Sequence, residues 1–254
     1  MTELQNHVHI ERGQLLDGKE SIEEAVLGRP NRAQDVAVGL LSLGDVAEAK
    51  AWFQALAEEW VIIANSRWDS SYQKDPRQSA GMGPWSDYID ALYCAILGRD
   101  DTTTPARTVL TNSTESFVDE LENRDRTHRI DLARALSSHL LENEMVEQHL
   151  TALEDAVEER DKPWAIARYL PYARVLRGLD AGDVSDVEAG IQGLLEFHRD
   201  HVASARDADA VQKAVALDAT AMLALARREG MAITVDDELI PGAVNDDEYY
   251  PIEG

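Results

Sequence analysis

From Ala214 to Ala226 the chain reads AVALDATAMLALA, with Asp218 its only charged residue and Thr220 its only other polar one. A helix that is apolar around its whole circumference is stable in water only when neighbours cover it on several sides. This run, central to a helix expected over 207–229, therefore demands a surrounding shell. It also carries a problem. Asp218 shares a helix face with Val211, Val215, Met222 and Leu225, and an unpaired buried carboxylate is costly or takes up a proton. The expectation is a structural, buried Asp218 with a partner on the segment PWAIARYLPYARVLRG, where Trp164, Arg168 and Arg174 are the candidates.

The rest of the chain supplies helices for that shell. NRAQDVAVGLLSLGD places Val36, Leu40 and Leu43 at helical spacing and ends near Gly44. DVAEAKAWFQALAEEWVIIANS follows, with Ala49, Phe53, Leu56, Trp60 and Ile63 in one stripe, and the short Gly44–Asp45 junction implies an antiparallel hairpin. WSDYIDALYCAILG turns Ile89, Leu92, Tyr93, Ile96 and Leu97 inward. Short helices are expected over ARTVLTN and STESFVDELEN, and longer ones near 128–141, 143–160, 163–178 and 184–203. Pro163 suits a first helical turn, whereas Pro171 should kink or divide its helix. MAITVD, at 231–236, is the one extended segment, and a single strand makes no sheet. The reading is an all-α, packed helical domain of antiparallel hairpins spanning 1–254, with an irregular loop at about 65–84 and an acidic tail at about 244–254.

Charge narrows the partners. The 254 residues carry 48 acids against 24 bases, a formal charge of −24, which disfavours nucleic acid and anionic membrane surfaces. Only five of the bases are lysines (Lys19, Lys50, Lys74, Lys162 and Lys213). This acid-rich, lysine-poor surface is similar to that of proteins from salt-loving organisms. At about 1 M salt the screening length is about 3 Å, so the charge there serves solubility and not steering. The chain shows no basic leader followed by an apolar stretch and no long apolar run, so a soluble, cytoplasmic protein is expected. Cys94 stands alone on an apparent buried face.

No catalytic motif emerges: there is no HExxH, no phosphate-binding glycine loop and no GxSxG. A non-enzymatic protein without cofactor is expected. The nearest approach to a metal site is EFHRDHV, where His198 and His201 lie three apart, with His139 and His149 as further ligands on spacing alone. Solvated histidines on an acidic helix are the simpler reading. Five tryptophans stand among fifteen aromatic residues, most of them suited to a core. Trp68 and Tyr72 on the irregular loop, with Trp85 beside it, are the candidates for a partner-binding hot spot.

The C-terminal succession LLEFHRDHV, VALDATAMLALARREGM and AITVDDELIPGAV resembles the end of the immunity protein 49 family. GPWSDYIDALYCAILGRDD is similar to that family's central tryptophan-bearing helix, and the order of elements corresponds over roughly 84–244. The resemblance implies an all-helical cytoplasmic protein that neutralises a cognate toxin, a protein partner, by non-catalytic binding. The alternative is a tetratricopeptide-like scaffold, suggested by LLSLGDVAEAKAWFQALAEEW, although no 34-residue period recurs.

Overall fold

The structure is a computed structural model that describes residues 2–65, 84–98, 101–113, 127–159 and 162–250. Among them are twelve α-helices and no strand. Helix α1 (Glu3–Leu16) opens with a reciprocal cap between Thr2 and Gln5, and α2 (Ile22–Val26) is capped by Ser21. Helix α3 (Pro30–Ser42) places Pro30 in its first turn, where the missing N–H is not needed. Gly44, at φ 85°, then reverses the chain into α4 (Val46–Asn65). Only glycine takes up that conformation without strain. Helix α5 (Pro84–Gly98) lies along α4, and α6 (Thr103–Asn112) follows.

The second half repeats the device. Helices α7 (Thr127–Leu140) and α8 (Val146–Glu158) form one pair, and α9 (Pro163–Ala181) and α10 (Val184–Phe197) another. Small residues fix the closest crossings. A Cβ added at Gly190 would lie 2.8 Å from the Pro171 carbonyl oxygen and 3.0 Å from the Val175 nitrogen, so the α10 backbone rides directly on α9. At Gly98 an added Cβ would meet the Gln54 nitrogen at 2.8 Å, which sets α5 against α4 in the same way.

The apolar run lies where its composition requires. Helix α12 (Leu217–Arg228) packs on α5, α9 and α10, and Ala219 to Ala226 are all buried. The core around it includes Trp52, Trp60, Tyr88, Tyr93, Tyr169 and Tyr172. No helix among the described residues is long and apolar enough to cross a membrane.

Several boundaries differ from expectation, each for a local reason. The helix expected over 207–229 is two: α11 (Ala210–Ala214) ends at an extended Val215, and the Ala216 N–H donates to the distant Leu239 carbonyl at 2.9 Å. The one expected over 184–203 changes pitch, because His198–Ala203 form a π-helical turn after α10. Pro171 does not divide α9, which runs unbroken through it. Helix α8 begins three residues late, after a turn in which Glu142 adopts φ 51° and Asn143 Oδ1 accepts from the Met145 N–H. Residues 231–236 form no strand: the Asn245 side chain instead takes both the N–H and the carbonyl of Val235, at 3.1 and 2.9 Å. The helix expected over STESFVDELEN lies almost wholly outside the described residues.

The acidic end is partly tied down. Residues 242–249 form two 3-10 turns, and Tyr249 is buried, with its hydroxyl donating to the Leu97 carbonyl at 2.5 Å. Lys50 donates to the Tyr249 carbonyl and sits 4.1 Å above its ring.

Candidate functional site

Asp218 stands in the first turn of α12, and α9 brings Arg168 to it: Nη2 donates to Oδ2 at 3.2 Å. Of the three partners the sequence offers, Arg174 is engaged elsewhere, by Asp186, and Trp164 meets the rings of His128 and Tyr169. Asp218 is half-buried, with its side chain 19% exposed, because two adjoining cavities open beside it. One, of about 380 Å³, is walled by α3, α5, α9, α11, α12 and the π-helical turn; the other, of about 140 Å³, reaches toward Tyr93, Arg129 and Leu132. Both are lined by Asp90, Arg168 and Asp218.

The polar groups here are ordered by a relay that starts in the core. The buried Trp60 indole on α4 donates to Gln34 Oε1 at 2.8 Å, and Gln34 Nε2 donates to Asp90 Oδ1 at 3.2 Å. Gln34 on α3 thereby satisfies both its amide atoms and aims one carboxylate oxygen of α5. Asp35, next to it on α3, makes no hydrogen bond or ion pair among the described residues. On the opposite wall the Arg168 guanidinium lies 5.6 Å from the rings of both Tyr169 and Phe197. Tyr93, which lines the smaller cavity, is backed by the buried Tyr172, hydroxyl to hydroxyl.

Electrostatics follow from this packing. Burial, and then the like charges of Asp209 and Glu11, push the Asp35 carboxyl up to about 7. Burial likewise raises Asp90 to about 6, against the hydrogen bond from Gln34. Burial is the largest influence on Arg168 and opposes its charge, but the Asp218 carboxylate and the surrounding Tyr169, Tyr172 and Tyr93 together outweigh it and keep the guanidinium protonated. The Tyr93 and Tyr172 hydroxyls are held neutral by burial, reinforced by Asp218. The cleft thus sets Asp35, Asp90, Asp209 and Asp218 against two arginines, Arg168 and Arg129.

The two histidines of EFHRDHV part company in the π-helical turn. His198 is buried and its Nε2 meets the Gln212 carbonyl at 2.6 Å, while His201 is exposed and packs on the Phe197 ring at 4.9 Å. Burial lowers the His198 pKa. His139 is paired with Glu229 at 2.5 Å, and His149 is half-buried on α8. Among the described residues no three His, Cys, Asp or Glu side chains converge as a metal site. Trp68 and Tyr72 lie outside the described residues, and Trp85 occupies the first turn of α5. A larger cavity, of about 770 Å³, lies between the α7–α8 turn and the end of α12. Its acids Glu142, Glu144, Asp180 and Glu229 are exposed, where water weakens their attraction for any partner.

Asp35 and Asp90 do not stand out in the sequence. Asp90 carries the clearer signal, since it lies three residues before Tyr93 and four before Cys94, within an otherwise apolar helix stripe. Only the meeting of α3, α5, α9 and α12 makes it part of a cleft.

Comparison with curated proteins and with solved structures returns no match. The profile of immunity protein 49 matches residues 31–244, from α3 through the last helix and the turns beyond it, and so takes in every helix that lines the cleft. By that match over most of its length, the chain belongs to the immunity protein 49 family.

Proposed function

We propose that the protein neutralises a cognate toxin in the cytoplasm by non-catalytic binding, covering the toxin's active surface. Family membership over 31–244 carries this reading. A packed helical body among the described residues suits it, because side chains already held by a core give up little conformational entropy on association. The aromatic residues Trp68, Tyr72 and Trp85 are proposed as hot-spot anchors, with acidic side chains as the rim.

The test is capture with tagged, full-length protein from its native cells at their own salt, followed by identification of the bound chain. The expected partner is the C-terminal part of a large modular secreted protein. That fragment, expressed alone, should arrest growth, and co-expression of the immunity protein should restore it. A fragment whose toxicity is unchanged by co-expression refutes the proposal. Recovery of ordinary cytoplasmic assemblies in its place would favour the hairpin scaffold.

A further inference from the structure

We propose that the cleft between α3, α5, α9 and α12 seats a lysine side chain of the partner protein, with its ammonium between Asp35 and Asp90 and its alkyl stem along Val38, Val211 and Leu217. The inference rests on the binding reading above only for the origin of that side chain.

Three observations point to a cation. Asp90, partly buried between the two cavities, has one oxygen fixed by Gln34, while Oδ2 accepts no hydrogen bond among the described residues; Arg168 and Arg129 act on it only at longer range. Asp35, half-buried in the cavity wall, makes no hydrogen bond or ion pair through either oxygen among the described residues. Both carboxylates line the cavity with oxygens open to it, so a cation entering there meets acceptors that no protein donor occupies. The only arginine lining the larger cavity is already committed to Asp218, and Asp209 spends one oxygen capping α11. Burial disfavours the charged form of His198, so it adds no competing cation.

The walls choose among cations. A metal ion needs several ligands converging at about 2–2.5 Å, and no such group exists among the described residues. An arginine side chain favours an aromatic face to stack on, but Tyr169 and Phe197 are taken by Arg168, and the larger cavity is lined by no Phe, Tyr or Trp. A compact ammonium on an aliphatic stem matches what remains: carboxylates at one end and valine and leucine side chains along the approach. The cavity's roughly 380 Å³ accommodates such a chain. The π-helical turn at His198–Ala203 forms part of the rim, and such turns recur at functional sites because they reshape a helix surface locally.

The relay also provides a reporter. Because the Trp60 indole N–H reaches Asp90 through Gln34, a cation on Asp90 should move the Trp60 indole proton in an NMR titration. The probe is n-butylammonium chloride added to the full-length protein at constant ionic strength, with sodium chloride and sodium acetate as controls. A saturable shift is expected with butylammonium alone. Asp90→Asn should weaken it about tenfold or more, equivalent to about 1.4 kcal/mol, and Asp35→Asn should weaken it less. A shift that never saturates, or that sodium reproduces, overturns the inference. So does saturation by acetate, which would make Arg168 the anchor of an anion site. The parent titration decides these points even if a variant fails to fold. Capture of a toxin that binds Asp90→Asn as tightly as the parent also overturns the lysine seat while leaving the immunity reading intact. Butylammonium binding without any toxin partner does the reverse.

Discussion

Replacing Asp35 by Asn should stabilise the protein, and by more at alkaline than at mildly acidic pH. In the folded state burial and its acidic neighbours lift the Asp35 carboxyl from 3.8 to about 7. Below about pH 4 the group is protonated in both states and costs nothing. Between about pH 4 and 7 the unfolded chain releases its proton first, so the parent loses stability as pH rises, and above 7 the cost is constant. A rise of about three pH units at about 1.36 kcal/mol each sets an upper bound of about 4 kcal/mol. Asp35 is half-buried, and solvent screening reduces that to about 2 kcal/mol. The protein's isoelectric region, near 4.5, is best avoided. The assay is therefore urea unfolding of parent and variant at about pH 5.5 and about pH 8 in fixed salt, where roughly half the effect, about 1 kcal/mol, should appear as a difference of differences. The subtraction removes the general repulsion of a chain at −24. An equal increment at both pH values, or a larger one at the acidic end, refutes the reasoning.

Gly190→Ala should destabilise by about 1–2 kcal/mol in thermal or urea melts, because the clash with α9 exceeds the gain in helix propensity. Gly13→Ala, where an added methyl meets nothing within 4 Å, should instead raise stability by about 0.5–1 kcal/mol. Arg168→Met strands the Asp218 carboxylate and should cost about 1–3 kcal/mol, of which adding Asp218→Asn recovers at least half; a double-mutant cycle with no coupling would contradict the pairing. Cys94 is 1% exposed and its thiol is pushed up by burial, so a thiol reagent should label it only at the rate of unfolding. Rapid labelling of the native protein would show that α5 is not held in the core.

What the sequence reveals and what it hides divide along range of interaction. Helix α12 declares itself because its composition leaves no solvent-facing side, and Arg168 is one of three candidate partners that the segment beginning at Pro163 offers. The break at Val215–Ala216 is invisible locally: the stretch has no Gly or Pro, and the acceptor that stabilises it is the Leu239 carbonyl, delivered by later chain. Asp35 and Asp90 are hidden for another reason. In a chain with 48 acids, one more carboxylate on a helix carries little signal until other helices wall it into a cleft. His198 attracts notice for metal chemistry, but its ring nitrogen is spent on the Gln212 carbonyl, a contact set by the turn between α10 and α11.

The Tyr249 clasp has a consequence for the order of assembly. Its contacts join residues separated by 199 positions to Lys50 and by 152 to Leu97. The α4–α5 and α9–α10 hairpins can form from near neighbours, whereas this clasp, like the packing of α1 on α11, closes a loop of about 200 residues and should come late. During synthesis, the receiving surface on α4 and α5 therefore waits uncovered until nearly the whole chain has emerged. In native-state hydrogen exchange, amides around the 3-10 turns at 242–249 should open more readily than those of α5, with the clasp leaving before the helices it covers.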